Sequence, residues 1–390
     1  MRFLLFTLTF FAAVFPSAGC STYTDQEPAT LVVGLSHVCE GRFEYFNESL
    51  GINTGIALSR HSDNGIIKTA QGPVRIRFVS MAVPEKGGTA RQVFFETVHN
   101  YGAAIIIGNV CSVTATGMAE AAEELRIPYL APVASAPSVL EGKAFVFGTS
   151  PSMTAKADAF ASFLEKDLKA RRIALLARRG SLQLGIYAAA FGAYFAENQG
   201  ELVAIEAYDK PSDLPDHVAR LAGLKPDVIF YCPVAPHAIT IARELEKLGA
   251  RIPLVAAQSK MLFDYGSFLP QPDMPLYSLS YWNPEQDMEE SRGYAAAFEA
   301  LTGRLPTEDD AYVYDTMLRL VEAARQAEDL RPESIRAALA AAPALRGAAG
   351  TYTFHPQARL ERIWRLSLSN GQLSIEPPAP DGAAARSPSL

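Results

Sequence analysis

The sequence predicts an α/β protein made of two similar lobes, each built on a parallel sheet. Short apolar runs alternate with helical patterns along most of the 390 residues. This alternation occurs twice, once before and once after an interruption at Gly148 and Pro151. The chain length also favours two domains over one, and a composition of 49% hydrophobic and 20% charged residues is that of an ordinary globular protein.

The elements follow one another in the order that such a fold requires. Strands are predicted first at residues 31–35, 74–80, 104–107, 128–131 and 144–147, and then at 172–176, 202–208, 228–231 and 253–256. Helices are predicted between and after them at residues 154–169, 186–199, 213–221, 237–248, 289–302, 309–327 and 332–340. A final strand pair is predicted around residues 351–354 and 363–368.

The stretch 103–138 is the most informative part of the chain because it contains a complete strand, helix and strand unit. Its first apolar run ends at Gly108, and Ser112 opens the helix, whose free N–H groups suit an anion. Its second apolar run ends in small residues that include Ala134 and Ser135. Ligands of open α/β sheets bind at such strand ends. The alternative is that Ser112 and Ser135 only cap helices.

The N-terminus predicts export from the cytoplasm. Arg2 precedes an apolar segment at residues 3–15, and small residues follow, so residues 1–20 are predicted to be a signal peptide. Residues 17–20, Ser-Ala-Gly-Cys, resemble the bacterial lipobox, in which the cysteine becomes a lipid anchor. The alternative is ordinary cleavage nearby, with Cys20 incidental. No interior stretch has the length and hydrophobicity of a membrane span.

Export places the four cysteines in an oxidising compartment. Cys39 follows the first strand and Cys111 the third, and these strands are neighbours in a sheet of order 2-1-3-4-5. We therefore predict a disulfide between Cys39 and Cys111, which is expected to stabilise the fold by roughly 4 kcal/mol on the chain-entropy model. The alternative is two free buried thiols. Cys232 lies in an apolar run and is predicted to be a small core residue.

Several classes of function are disfavoured by composition and motifs. A formal net charge of -7 without a Lys/Arg-rich run argues against a nucleic-acid partner. The six histidines lack metal-binding spacing, and neither a Gly-x-Ser-x-Gly nucleophile motif nor a Gly-rich phosphate loop occurs. We therefore expect a protein that is not an enzyme and that has no cofactor and no metal.

Five motifs together resemble a known family. They are Ile107-Gly-Asn-Val-Cys-Ser112, the stretch from Ile127-Pro-Tyr129 to Ala136-Pro137, Phe147-Gly-Thr-Ser-Pro151, Lys225-Pro-Asp-Val-Ile-Phe230 and Tyr312-Val-Tyr-Asp315. The chain resembles the type I periplasmic solute-binding proteins of the branched-chain amino acid group, which serve ABC importers. This resemblance covers nearly all of the mature chain.

The resemblance implies two Rossmann-like lobes joined by a three-strand hinge. Lobe I would comprise residues 28–149 and 280–350, and lobe II residues 150–279 and 351–374, followed by a disordered tail at 375–390. The lobes would close around a small-molecule ligand. The implied partner is an ABC permease in the inner membrane, and the implied location is the periplasm or the outer face of the cell membrane. A monomer is expected, attached to the membrane only through the lipid anchor. The alternative is a sensing module that presents its closed state to a membrane receptor or kinase.

The same resemblance implies the ligand contacts. The residue at the position of Ser112 and its helix hold the ligand carboxylate in the family, with Ala134 and Ser135 beside it. In the second lobe, Leu184 replaces a usual tyrosine and Gln258 replaces a glutamate that neutralises the ligand ammonium. A desolvated ammonium needs a paired charge. We therefore expect a carboxylate or an amphiphile in preference to a branched-chain amino acid.

Two further segments contain candidate ligand contacts. Arg178, followed by Arg179, ends a strand of the second lobe and suits a second carboxylate or other anion, unless these residues form a solvated basic rim. The loop at residues 36–47 is predicted to overhang the ligand crevice. Within it, Tyr45 and Phe46 would stack on an apolar ligand body and Glu40 would form a hydrogen bond with it. The alternative is that these side chains pack at the rim.

Overall fold

The computed structural model describes residues 27–38, 45–84, 87–232, 237–260, 262, 276–342, 344–352, 363–369 and 372–377. Within these ranges the chain forms two lobes, each built on one mostly parallel sheet with helices on both faces. The chain passes between the lobes three times, after the last strand of the first sheet, after the fifth parallel strand of the second sheet, and before the last two strands. None of the described helices combines the length and the apolar character needed to span a membrane.

The first lobe contains a six-stranded sheet in the spatial order β2-β3-β1-β4-β5-β6. Strands β2 and β3 form an antiparallel hairpin, and the remaining neighbours are parallel. The strands are β1 (Ala29–Val38), β2 (Ile66–Thr69), β3 (Gly72–Val83), β4 (Ile105–Ile107), β5 (Tyr129–Ala131) and β6 (Val146–Gly148). The helices between them are α1 (Tyr45–His61), α2 (Ala90–Tyr101), α3 (Ser112–Leu125) and α4 (Pro137–Leu140).

The second lobe contains a seven-stranded sheet in the order β15-β14-β11-β10-β9-β7-β8. Its strands are β7 (Arg172–Arg178), β8 (Glu201–Tyr208), β9 (Val228–Cys232), β10 (Leu254–Ala256), β11 (Leu276–Ser280), β14 (Trp364–Ser369) and β15 (Gln372–Glu376). Its helices are α5 (Met153–Lys166), α6 (Leu182–Glu197), α7 (Leu214–Gly223) and α8 (His237–Lys247). A separate hairpin consists of β12 (Leu345–Arg346) and β13 (Thr351–Tyr352).

Three late helices complete the first lobe. They are α9 (Glu289–Thr302), α10 (Glu308–Gln326) and α11 (Pro332–Ala341). Their apolar side chains share one buried cluster with β1, in which Leu31 and Val33 of the strand lie with Val313 and Met317 of α10. Burial of these faces supplies the main driving force for placing residues far apart in the sequence in one lobe.

The predicted α/β architecture is confirmed. Without the antiparallel strands, both sheets have the strand order 2-1-3-4-5, which makes β1 and β4 neighbours as expected. All nine strands predicted before residue 260 coincide with observed strands. The prediction missed β2, β11, β12 and β15. It was wrong about the final strand pair, because β13 pairs with β12, and β14 pairs with β11 and β15.

The C-terminal tail begins later than predicted. Strand β15 reaches Glu376, so the first two residues of the tail expected at 375–390 belong to the sheet. Alternating side chains in β15, with half-buried Leu373 and Ile375, explain why this segment pairs as an edge strand. Residues 378–390 lie outside the described residues.

A polar network joins the end of α1 to α9 and α10 on the first lobe. Tyr314 donates a hydrogen bond to Glu290 and lies 2.8 Å from Nε2 of His61. Arg60 donates to the Tyr314 hydroxyl oxygen at 3.1 Å and forms an ion pair with Glu290 at 3.2 Å. The ring of Tyr314 stacks on Tyr294 with centroids 4.4 Å apart. The pKa of Glu290 is lowered to about 2, mainly by its hydrogen bond with His61. The hydrogen bond from Tyr314 and the charge of Arg60 also lower it.

This network predicts a loss of stability in acid. Because the pKa of Glu290 is lower in the folded protein than its ordinary 4.5, its stabilising effect is complete above that value and disappears as the pH falls towards 2. With allowance for solvent screening, we expect the ionised Glu290 carboxylate to contribute about 2 kcal/mol to the unfolding free energy. Urea unfolding of Glu290→Gln between pH 6 and pH 2 should show a correspondingly flatter acid limb than wild type. Exposed Glu289 on the same helical turn provides the control, and an equal effect of Glu289→Gln would contradict the assignment.

Candidate ligand-binding site

The carboxyl ends of β4 and β5 form a rigid edge facing the space between the lobes, which we call the crevice. Gly108 follows β4 with φ of 123°, and a Cβ there would lie 2.5 Å from the carbonyl oxygen of Ser36, so the position requires glycine. The side-chain oxygen of Asn109 accepts hydrogen bonds from the amides of Val110 and Cys111 at 2.6 and 3.0 Å. These contacts fix the turn that leads into α3.

Ser112 is the first residue of α3 and is half-buried. The N-cap residue, Cys111, makes no side-chain hydrogen bond to the start of this helix. The amides of a first helical turn have no partner within the helix, so this end offers donors and a positive dipole to an anion. Thr116 on the next turn donates to the Ser112 carbonyl and approaches Ser138 of α4 at 2.8 Å, which fixes the orientation of the turn.

Ala134 and Ser135 lie beside Ser112 on the neighbouring strand end and are almost completely buried. The Ala134 amide donates to the carbonyl of Asn109 at 3.3 Å, which connects the ends of β4 and β5. The Ser135 carbonyl accepts a hydrogen bond from the amide of Met153 at 2.9 Å, at the start of α5. The structure therefore brings together the three first-lobe residues that the sequence singled out.

The predicted second-lobe residues lie at or after the ends of two strands, Arg178 and Leu184 at β7 and Gln258 at β10. Arg178 ends β7 and is exposed, while Arg179 is already paired with Asp209 at 2.7 Å. Leu184 lies in the first turn of α6, half-buried against the apolar core of this lobe. Gln258 follows β10 and is exposed. Arg179 is thus paired within the second lobe, and the anion-binding role of Arg178 stays a prediction.

The loop after β1 differs from its prediction. Phe46 is completely buried in the core of the first lobe, so its proposed stacking on a ligand was wrong. Phe46 and Leu50 occupy positions i and i+4 of α1 and face the same core. Tyr45 begins α1, but its side chain and all of Glu40 lie outside the described residues. Asn47 closes the base of the loop by hydrogen bonds in both directions with the backbone of Val38, at 2.8 and 2.7 Å.

The cysteines are partly described. Cys111 and Cys232 are buried free thiols in the structure, and Cys232 lies in the core as predicted. Cys39 lies outside the described residues, so the disulfide between Cys39 and Cys111 stays a prediction. Cys20 and the predicted signal peptide also lie outside them.

Helix α10 contacts the first two segments that pass between the lobes and the hairpin that precedes the third. The hydroxyl of Thr316 lies 2.7 Å from that of Thr149 in the first segment. In the second segment, Oε2 of Glu308 accepts hydrogen bonds from the Ser280 hydroxyl at 2.8 Å and the Tyr281 amide at 3.0 Å. In the hairpin of β12 and β13, which precedes the third segment, the carboxylate of Asp315 accepts hydrogen bonds from the amides of Ala348 and Ala349 at 2.5 and 2.8 Å. The geometry of the hinge thus depends on one helix.

Charged side chains from both lobes meet at the start of α10. Glu308 also accepts a hydrogen bond from Ser259, in the loop after β10, at 3.1 Å. Lys156 of α5 lies over the rings of Tyr281 and Tyr312, 5.8 and 5.9 Å from their centroids. Burial and the charge of Glu308 raise the pKa of Asp309 to about 6, while Lys156 and Lys260 oppose that shift.

Sequence reasoning missed this charged cluster. The three acids at residues 308–310 follow Thr307 and resemble the usual acidic first turn of a capped helix, so they gave no separate signal. Tyr312 belongs to the Tyr312-Val-Tyr-Asp315 motif, which does not by itself indicate a contact with the second lobe. Lys156 lies in an ordinary amphipathic helix, and only the fold brings it to Tyr281 and Tyr312. Within the described parts of the chain, no group of three or more His, Cys, Asp or Glu side chains is arranged to hold a metal ion.

The arrangement of two hinged lobes with a polar strand edge is that of a solute-binding protein, and comparisons with known proteins agree. The profile of the periplasmic binding protein family matches residues 32–366. The chain therefore belongs to the periplasmic binding protein family, whose members bind solutes for ABC transporters without catalysing a reaction and are normally extracytoplasmic. No curated protein matches the sequence.

Solved structures support the same fold. A leucine-binding protein of Thermotoga maritima is similar with a TM-score of 0.77 and 19% identity, covering 91% of this chain and 100% of its own. A solute-binding protein of R. palustris in complex with benzoate has a TM-score of 0.78 and 18% identity, covering 91% and 99%. A solute-binding protein of Rhodopseudomonas palustris BisB5 in complex with 3,4-dihydroxybenzoic acid has a TM-score of 0.74 and 16% identity, covering 90% and 96%.

Proposed function

We propose that this protein is the extracytoplasmic component of an ABC-type importer and captures a small organic carboxylate or amphiphile by closure of its two lobes. The observation that carries this proposal is the start of α3, whose N-cap residue makes no capping hydrogen bond and whose preceding turn is bonded to Ala134, next to Ser135. The leucine, benzoate and dihydroxybenzoic acid in the names of similar proteins all contain a carboxyl group. We place the ligand carboxylate at Ser112 and Ser135.

A branched-chain amino acid is a less suitable ligand. Its ammonium would need a carboxylate without another charged partner, and Gln258 offers only an amide. Glu308 at the start of α10 already accepts three hydrogen bonds, and Asp309 already lies near the positive charges of Lys156 and Lys260. A panel of carboxylates, amino acids, amides and benzoates, tested by thermal shift, should give stabilisation by carboxylates that lack an α-ammonium group. Stabilisation by leucine-like amino acids alone would contradict this choice.

Ser112→Ala should weaken binding of a carboxylate ligand. The hydroxyl at the start of α3 would donate a hydrogen bond to a charged group, and its loss should reduce the binding free energy by about 1–3 kcal/mol. Isothermal titration with the tightest acid from the panel measures this change. Exposed Ser59, whose hydroxyl donates to the Ile56 carbonyl of its own helix α1, provides the matched control as Ser59→Ala. Unchanged affinity in Ser112→Ala would show that the Ser112 hydroxyl does not contact the ligand.

The cellular part of the proposal rests on the sequence. Residues 1–20 have the pattern of an export signal, and Cys20 has the position of a lipid-attachment site. We assign the mature protein to the periplasm or the outer face of the cell membrane, where an ABC permease would receive the closed form.

A further inference from the structure

Lys156 extends from one lobe to side chains outside it. Helix α5 packs its apolar face, which includes Ala157 and Phe160, into the core of the second lobe. The Lys156 side chain instead lies over Tyr312, which belongs to α10 of the first lobe, and over Tyr281, in the segment that passes between the lobes. Its ammonium therefore lies at the junction of the two lobes, where a bound solute is enclosed.

The ammonium of Lys156 has no acceptor within the described parts of the chain, either as an ion pair or as a hydrogen bond. The two ring faces attract its charge but leave its N–H donors unused. Its pKa is lowered because it is desolvated, an effect that Glu308 and Asp309 oppose. The hydroxyl of Tyr281 is buried and also lacks a partner among the described residues. Buried polar groups are normally paired, so the buried Tyr281 hydroxyl beside the half-buried Lys156 ammonium indicates a place for an acceptor.

The same lysine is close to the carboxylate end of the proposed site. The Ser135 carbonyl is bonded to the amide of Met153, and Lys156 follows Met153 by three residues on the same helix. Residues three apart lie on one helical face, separated by about one turn, roughly 5 Å along the axis. A ligand with its carboxylate at Ser112 and Ser135 and a body the size of one ring would therefore extend towards the Lys156 ammonium.

The surrounding charges indicate what kind of acceptor fits. The formal charges of Glu308 and Asp309 match those of Lys156 and Lys260. Asp310 is paired with Arg304 at 3.0 Å, and Asp158 adds a negative charge near Tyr281. A second carboxylate would add an unbalanced negative charge next to two acids, and desolvating such a charge is costly. A hydroxyl or carbonyl oxygen accepts the same hydrogen bond without that cost.

We propose that Lys156 donates a hydrogen bond to an uncharged oxygen, a hydroxyl or carbonyl, at the end of the ligand opposite its carboxylate. Tyr281 and Tyr312 hold the ammonium in position through their ring faces. This inference rests on the proposed function, because it takes the carboxylate end of the ligand as fixed at Ser112 and Ser135. Lys156 thereby becomes a specificity-determining residue that selects oxygen-substituted acids.

Isothermal titration with benzoate, 3-hydroxybenzoate, 4-hydroxybenzoate and terephthalate tests this inference on the wild-type protein, Lys156→Met and Lys156→Gln. In wild type, we expect at least one hydroxylated acid to bind about tenfold or more tightly than benzoate, and terephthalate to bind more weakly than that acid. Lys156→Met should abolish the advantage of the hydroxyl while changing benzoate affinity by less than about threefold. Lys156→Gln, which keeps an N–H donor, should retain part of the advantage. Exposed Lys166 on the same helix provides the control as Lys166→Met, which should leave all affinities unchanged.

Other outcomes separate this inference from the proposed function. Equal affinity for benzoate and the hydroxybenzoates in wild type, or a hydroxyl advantage that persists in both Lys156 variants, overturns the role of Lys156 and leaves carboxylate binding intact. Tightest binding of terephthalate, lost in Lys156→Met, overturns the uncharged acceptor in favour of an anion. If none of these acids and no other carboxylate binds, both the proposed function and this inference fail.

Discussion

Asp315→Ala should lower the free energy of unfolding by about 3–5 kcal/mol, the largest effect of a single substitution that we expect in this protein. Asp315 is completely buried on α10, and its carboxylate accepts hydrogen bonds from the amides of Ala348 and Ala349. Removing it leaves both amides without this acceptor next to the segment that leads back to the second lobe. Each unpaired buried donor costs about 1–3 kcal/mol. Urea unfolding followed by circular dichroism measures the change.

Two comparisons make this test specific. Asp315→Asn keeps one carbonyl acceptor and should lose less stability than Asp315→Ala. Asp287 is an almost completely exposed aspartate, and Asp287→Ala should change the unfolding free energy by less than about 0.5 kcal/mol. Gly347→Ala tests the contact between Asp315 and this hairpin from the other side. Its added Cβ would overlap the Asp315 carboxylate and should also lower the free energy of unfolding. A loss below about 1 kcal/mol in Asp315→Ala would show that these amides find other acceptors.

Local patterns were sufficient to predict most of the two sheets. A run such as residues 228–232 is apolar, short and followed by turn residues, so its place in a buried parallel strand follows from composition alone. Strand β11 alternates apolar and polar residues in Leu-Tyr-Ser-Leu-Ser, without a clear apolar run, and was missed. The antiparallel addition of β14 to β11 depends on contacts between residues about 90 positions apart, which no local pattern encodes.

The candidate site was predictable where it depends on strand ends and unpredictable where it depends on contacts between the lobes. Ser112, Ala134 and Ser135 follow two adjacent strands, so the parallel topology itself brings them together. The prediction placed Phe46 at the ligand and was wrong. Phe46 lies four residues before Leu50 on α1, so both side chains face the core of the first lobe. The neighbours of Lys156 lie more than a hundred residues away in the sequence, and only the packing of α10 against the hinge defines them.

Glu308 should control both stability and the opening of the lobes. Its buried carboxylate accepts hydrogen bonds from Ser280 and the Tyr281 amide in the second passing segment, and from Ser259 in the second lobe. Glu308→Ala removes the single oxygen that accepts all three hydrogen bonds, and we expect the unfolding free energy to fall by about 2–4 kcal/mol. Glu308→Gln keeps one acceptor oxygen, so its unfolding free energy should fall by less. Thermal and urea unfolding measure these changes.

The single hydrogen bond between Ser259 and Glu308 separates opening from stability. Ser259 belongs to a loop of the second lobe, whereas Glu308 belongs to a helix of the first, so the bond has to break when the lobes move apart. Ser259→Ala should therefore favour the open state by about tenfold, with a larger radius of gyration in solution scattering without ligand and weaker ligand binding. Ser280→Ala removes a bond to the same carboxylate oxygen within the passing segment and should leave the radius of gyration unchanged. An equal radius of gyration in Ser259→Ala and Ser280→Ala would contradict this expectation. It would mean that the bond between Ser259 and Glu308 does not favour the closed state over the open one.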